Sequence, residues 1–338
     1  MAGKKKLFQR IRKAAALLGA AALLTGLLTG CGEDTKVVLT TGLKKNEVFR
    51  ISEKSCTLPE VMVYLTNMQN QYEAVYGEEI WNAKGEGESL EEEAKEQVLA
   101  ELAQVKAMSL LAQEKEVVLD EKETERVEAA AREYFNSLSE AEVTALGVDE
   151  KLINQMYTEY ALASKVYRQI VEDVNPEISD DEARTITVLS IRLKDRAKAQ
   201  EVLEQARQED IDFEALAEAN SEDRIVSCSF GKGEMDEAIE KAAFDLGKDE
   251  ISGIIETDDG FYVLKCVSTF DEAQTRANKE KILEKRRNEA FNSEYDTFAN
   301  SLVRQLNEEL WQSVALIRDE NVKTDSFFTV YDTFFQVE

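Results

Sequence analysis

The chain has 338 residues, 41 basic and 68 acidic side chains, a formal net charge of −27 and no histidine. Without histidine there is no Ser-His-Asp or Cys-His catalysis, no imidazole general base and no histidine-held metal. The acidity argues against a nucleic-acid partner, because gripping a phosphate backbone takes a dedicated basic patch.

Residues 1–30 have the composition of an export signal. Lys4, Lys5, Lys6, Arg10, Arg12 and Lys13 precede an apolar run that starts at Ala14 and ends at Leu28. That run is short of the roughly 20 residues a membrane span needs. It closes on Leu28-Thr29-Gly30-Cys31, which resembles the lipobox of bacterial lipoproteins. The resemblance implies that Cys31 is the lipidated first residue of the mature chain. It further implies an extracytoplasmic protein, lipid-anchored to the bacterial cell membrane. Residues 31–46, polar and aperiodic, are expected to be the tether.

Residues 47–178 are expected to form a helical arm. Residues 47–51 alternate as a strand does. Thr57, with Pro59 and Glu60 behind it, opens a helix, and Ser89-x-x-Glu92 is a capping box for a second. A third covers 120–138. A fourth starts near Asp149, with Ile153, Met156, Tyr160, Ala163, Tyr167 and Ile170 at bundle-packing spacing, and Pro176 follows it.

The stretch 185–267 is the organising unit. It begins with a strand that puts Leu189, Ile191 and Leu193 on one face and Val188, Ser190 and Arg192 on the other. Two helices, the glycine turn Phe230-Gly-Lys-Gly-Glu-Met235 and a short helix come next. A strand at 251–255, a hairpin turn at Asp258-Asp259-Gly260 and a closing strand complete it. Cys56, Cys228 and Cys266 are odd in number, which leaves at least one thiol free and a Cys228–Cys266 disulfide open. From 271 to 310 one long helix, whole or broken, is expected, and then a strand at 314–317 pairing with 48–51. The aromatic tail 326–335 is expected to dock on the arm rather than to present an apolar surface to clients.

Several phrases in this unit are similar to those of the parvulin-type (PpiC-like) peptidyl-prolyl isomerases. They are Ser190-Ile-Arg-Leu-Lys-Asp195, Phe213-x-x-Leu-Ala217 with Ser221-Glu-Asp223, Gly233-Glu-Met235 with Ala242-Ala-Phe-Asp-Leu246, and Gly260-Phe-Tyr-Val-Leu-Lys265. The whole layout resembles extracytoplasmic foldases of the PrsA and SurA kind. The fold implied is α+β: a small antiparallel sheet with flanking helices, inserted at 179–270 between the arm and a returning segment, 271–338. The two arms would form one chaperone-like module.

The resemblance also assigns roles. The family's proline pocket falls on Met235 and Ile239, with Phe230 beside them, and its usual aromatic wall is missing. The positions of its paired histidines fall on Ser190 and Tyr262. The loop that carries an acid or thiol in some members is replaced, leaving Cys228 as the substitute. Two functions follow as expectations. One is a membrane-anchored foldase that isomerises X–Pro bonds in unfolded or proline-containing secreted polypeptides. The other is a catalytically inactive parvulin-fold holdase. No cofactor and no metal is expected, since carboxylate runs such as Glu91-Glu92-Glu93 lack ligand spacing.

Overall fold

The computed structural model describes residues 42–82 and 89–335; the expected export signal, Cys31 and the first part of the tether lie outside them. The described residues divide into two compact units. One holds those up to Asp173 together with those from Asn288, and the other is Val174–Arg287.

The first unit opens with β1 (Glu47–Ile51), paired antiparallel with β2 (Lys54–Thr57). Helix α1 (Leu58–Tyr76) starts at once, because Glu60 Oε2 accepts from both Thr57 N (2.6 Å) and Thr57 Oγ1 (2.9 Å). Glycine at 77, with φ +77, ends it. A 3-10 turn, Glu78–Asn82, follows. Helix α2 (Leu90–Glu114) has the expected Ser89–Glu92 box, and α3 (Glu121–Ser137) has an equivalent Asp120–Glu123 pair. The sequence reading passed over α4 (Glu140–Leu146), whose Ser139–Glu142 box is the same signal; α5 (Glu150–Glu172) is capped by Asp149.

The second unit is built on a four-stranded antiparallel sheet. After a single-turn α6 (Asp180–Ala183) come β3 (Ile186–Leu193), α7 (Arg196–Ala206), α8 (Phe213–Asn220), β4 (Ser227–Phe230) and α9 (Glu237–Asp245). Then β5 (Ile255–Thr257) and β6 (Gly260–Ser268) close the sheet in the order β4-β3-β6-β5. Leu189, Ile191 and Leu193 pack under α7 and α8 against Val202, Phe213 and Val263. Ile186, Val188 and Leu264 face α9 through Ile239 and Ala243. Strand alternation thus assigned the two faces correctly.

Three details correct or sharpen the expectation. The strand at 251–255 is reduced to one bridge, Ile251 with Lys265, and the paired strand is Ile255–Thr257. Ser252 explains this, since its Oγ takes the Leu264 N–H (2.9 Å) that a ladder would have used. Cys228 and Cys266 are both free. They sit on opposite sides of Val188, which pairs with each of them, so they are two strand spacings or about 9–10 Å apart. A disulfide needs Cα atoms within about 7 Å. Finally, of the whole and the broken helix expected over 271–310 the structure has the broken one, its long part being α10 (Glu272–Ser301).

The first turns of α10 belong to the second unit. Thr275 Oγ1 accepts from Thr185 N (3.2 Å), and Asn278 Nδ2 donates to the Ala183 carbonyl (3.0 Å). In the basic run Lys285-Arg286-Arg287, Arg286 is committed to Glu182 (2.6 Å) and to the carbonyls of Asn175 and Glu177.

From Asn288 the chain counts with the first unit again, and β7 (Arg304–Leu306) pairs with β1. The expected partner of β1 was 314–317, so the pairing segment is displaced by one short helix. Asn307 is the reason. Its N–H donates to Val48 O (2.8 Å), which ends the ladder, and its Oδ1 caps α11 (Glu308–Gln312). The 314–317 backbone is satisfied by side chains instead: Ile317 N donates to Gln69 Oε1 (3.1 Å) and Leu316 N to Glu91 Oε1 (3.3 Å). The aromatic tail forms α12 (Phe327–Phe335) and docks as expected. Phe327 is fully buried, with ring centroids 4.5 Å from Tyr157 and 5.2 Å from Tyr134. Deeper in the same core Lys106 Nζ is shared by the carboxylates of Glu60 and Glu159.

Candidate functional site

The candidate site lies in the second unit, on the sheet face that α9 covers. The chain enters it through a loop that glycine makes feasible. Gly231 N donates to Glu234 Oε2 (2.8 Å), and Gly233, at φ +82, donates to Glu240 Oε2 (2.5 Å). A Cβ on Gly231 would stand 2.5 Å from Asn278 Nδ2, so a larger residue there would displace the Asn278 side chain. The loop ends at Met235, which is 38% exposed, and Asp236 Oδ1 then caps α9 by accepting from Ala238 N (2.9 Å). One turn on, Ile239 is buried.

Four of the predicted site residues come together here. Phe230, Ile239, Cys228 and Tyr262 belong to one apolar cluster on this face, with Phe230 edge-on to Phe244 at 6.1 Å. Met235 stands at the exposed start of α9. Ser190 shares the face by alternation, but its direct partner is Leu264, whereas Tyr262 lies opposite Arg192. Ser190 and Tyr262 are therefore diagonal neighbours. Among the described residues no hydrogen bond joins them. Cys228 is half-buried, and burial pushes its thiol above the ordinary range, so it is not an activated thiolate.

Two residues outside the expected site set, Arg192 and Asp223, form an ion pair beside Tyr262. Arg192 Nε and Nη2 both donate to Asp223 Oδ1, at 2.8 and 2.7 Å, and Nη1 reaches the Asp259 carbonyl at 3.4 Å. The segment after α8 is fixed to β3 to hold this pair. Ser221 Oγ accepts from Arg192 N (3.1 Å) and from Asp223 N (3.2 Å), and Glu222 N donates to Arg192 O (2.9 Å). The signal was present as Ser221-x-Asp223 at the end of a helix, two residues apart as a serine turn requires. It was used for the fold only. Burial raises the Tyr262 hydroxyl above its ordinary range, the charges of Asp223, Asp259 and Asp236 raise it further, and Arg192 opposes them. Tyr262 is thus a neutral O–H donor at physiological pH.

This arrangement offers an apolar floor, a neutral hydroxyl and a tightly paired charge at the edge. It offers no activated nucleophile. Among the described residues no group of three or more His, Cys, Asp or Glu is placed to hold a metal ion, and no helix is long and apolar enough to cross a membrane.

Comparison with known proteins gives this segment relatives. Residues 190–268 match the rotamase family model described as the PPIC-type PPIASE domain. Over 269 residues the chain is 24% identical to the foldase protein PrsA of Caldanaerobacter subterraneus subsp. tengcongensis, covering 73% of this chain and 82% of that protein. It is 26% identical over 180 residues to the foldase protein PrsA of Streptococcus mutans, which is 49% of this chain and about half, 54%, of that one. Among solved structures, PrsA from Bacillus cereus aligns at 21% identity with a TM-score of 0.38, covering 72% of this chain and 91% of that structure.

Proposed function

We propose that this chain, which carries a parvulin-type rotamase domain at residues 190–268, is an extracytoplasmic foldase that isomerises X–Pro bonds in unfolded polypeptides. The observation that supports it most is the α9 face. The segment matched to the rotamase family brings Phe230, Ile239 and Tyr262 into one apolar cluster, with Met235 at the exposed start of α9 and Arg192, paired with Asp223, opposite Tyr262 on β3. The foldase proteins it resembles support the wider role.

The chemistry asks little of the protein. Amide resonance sets a barrier of about 18–20 kcal/mol to rotation about the X–Pro bond. Met235, Ile239 and Phe230 take the proline ring and exclude water from it. As the amide twists, its carbonyl loses resonance and dipole, and a dry site favours that state over the planar one. The Tyr262 hydroxyl, kept neutral, is a donor on the same face. Ser190 is a positioning candidate on the same face, and Cys228 fills space. No covalent step and no cofactor is invoked.

The test uses the full chain and a client protein whose slow refolding phase is an X–Pro isomerisation. Wild type is expected to accelerate that phase. Met235→Ala is expected to lose at least about ten-fold, equivalent to about 1.4 kcal/mol of transition-state stabilisation. A refolding rate equal to the uncatalysed one would sink the isomerase reading.

A second reading is a holdase in which this face binds without catalysing. It is favoured by the lack of a hydrogen bond between Ser190 and Tyr262, and by Arg192 being paired with the carboxylates of both Asp223 and Glu222. The two readings share an anchor. Cys31, in its Leu-Thr-Gly-Cys setting, is proposed to carry the lipid that holds the protein to the membrane. Radiolabelled palmitate should enter wild type and not Cys31→Ser; equal labelling of both would remove the anchor.

A further inference from the structure

The first unit contains a cavity of about 390 Å³, remote in sequence from every residue of the α9 face. It opens between the C-terminal half of α2, the connection to α3, and the flanks of α3 and α5. Its walls are Val117, Leu119, Val127 and Leu162. The pocket is partly open to solvent, and its volume falls in the range of ligand pockets.

The polar groups around it are unevenly satisfied. The hydroxyls of Thr124 and Thr158 are spent on their own helices, on Asp120 O and Asn154 O, both at 2.8 Å. Ser109, which also lines the cavity and is 2% exposed, has a buried Oγ with no partner. A buried hydroxyl is normally paired, and this one is left open.

Charge then selects the occupant. Lys54, the only cation of the lining, is engaged by Glu159 at 3.2 Å. Glu116 and Glu128 are exposed carboxylates of the lining that form no ion pair among the described residues. Beside them Val118 is 72% exposed, an apolar surface next to two free negative charges. An apolar pocket under unpaired carboxylates complements an apolar side chain with a cationic neighbour.

We infer that this cavity is a second polypeptide-binding site, which takes a large apolar side chain of an unfolded segment flanked by lysine or arginine and does not require proline. The inference rests on the reading that the chain handles unfolded clients, and it adds a holding site separate from the isomerising face. The net charge of −27 favours encounter with the same basic segments.

The experiment is fluorescence anisotropy on the full chain with a fluorescein-labelled, proline-free peptide, Lys-Lys-Phe-Leu-Phe-Lys-Lys. Leu119→Trp, which fills the cavity from a half-buried position, is expected to weaken binding about ten-fold or more. The double variant Glu116→Lys with Glu128→Lys, both on the surface, is expected to weaken it about five-fold and to strengthen binding of a control peptide whose lysines are replaced by glutamates. Both variants should keep wild-type acceleration of X–Pro-limited refolding, since neither touches the α9 face. Wild-type dissociation constants in both variants would overturn the site. So would an absence of peptide binding in a wild-type protein that still accelerates refolding. A wild-type protein that binds the peptide without accelerating refolding would keep this site and count against the isomerase alone.

Discussion

Arg192 and Asp223 form an ion pair beside Tyr262, and a single atom of Asp223 takes both of the close guanidinium bonds. Tyr262 is held above the ordinary phenol value of 10.0, first by burial and then by Asp223, with Arg192 acting the other way. Asp223→Asn removes a negative charge and frees a positive one, so both changes favour the phenolate. The Tyr262 titration, followed by NMR on 13C-labelled tyrosine, is therefore expected to move down. If it stays in place, Asp223 does not govern the site. Because the raised value keeps Tyr262 protonated well past neutrality, isomerisation by wild type should be insensitive to pH between neutral and mildly alkaline conditions. These residues show the limit of reading a site from sequence. The places of Phe230, Met235, Ile239 and Tyr262 in strand, turn, helix and strand follow from local phrases, while their roles are proposed. The Arg192–Asp223 pair joins residues 31 apart, and only the fold of 221–223 along β3 brings them together.

Most elements with a local signal were legible, α4 with its Ser139–Glu142 box being the exception. Thr57, Ser89 and Asp149 start their helices as their side-chain chemistry dictates, and Asp258-Asp259-Gly260 makes the β5–β6 turn. Gly260 is fixed there by more than its φ of +135, since a Cβ would stand 2.6 Å from the Leu193 carbonyl. Pairing between distant segments was not legible. Residues 304–306 and 314–317 are both plausible strands, and the choice falls to Asn307 and to the side chains of Gln69 and Glu91. Strand β1 carries its own pH test. Burial works against the charge of Glu47, yet hydrogen bonds from Arg50, Ser55 and Lys44 N hold its carboxyl at about 2, down from 4.5. A carboxyl lowered in the folded state stabilises above its unfolded value, and that contribution disappears as pH falls through the folded one. Stability is thus expected to drop between pH 4.5 and about 2, and Glu47→Gln should flatten part of that slope in urea titrations. An unchanged slope in the variant would assign the acid sensitivity elsewhere.

At the scale of the whole molecule, the sequence is nested. The second unit interrupts the first, and the first is completed only when β7 pairs with β1 and Phe327 enters the core formed by Tyr64, Tyr134 and Tyr157. The interrupting unit carries the rotamase match and the α9 face, and the interrupted one carries the acidic-rimmed cavity. Isomerising and holding are in this account separate capacities of one chain. The most direct measurement is NMR exchange spectroscopy on an Ala-Pro-Phe peptide mixed with the full chain, with the methyl signal of Met235 recorded in the same samples. Cis–trans interconversion is expected well above the free-peptide rate, with a shift of the Met235 methyl on binding and loss of the acceleration in Met235→Ala. A shifted Met235 methyl with interconversion at the free-peptide rate would contradict the isomerase reading.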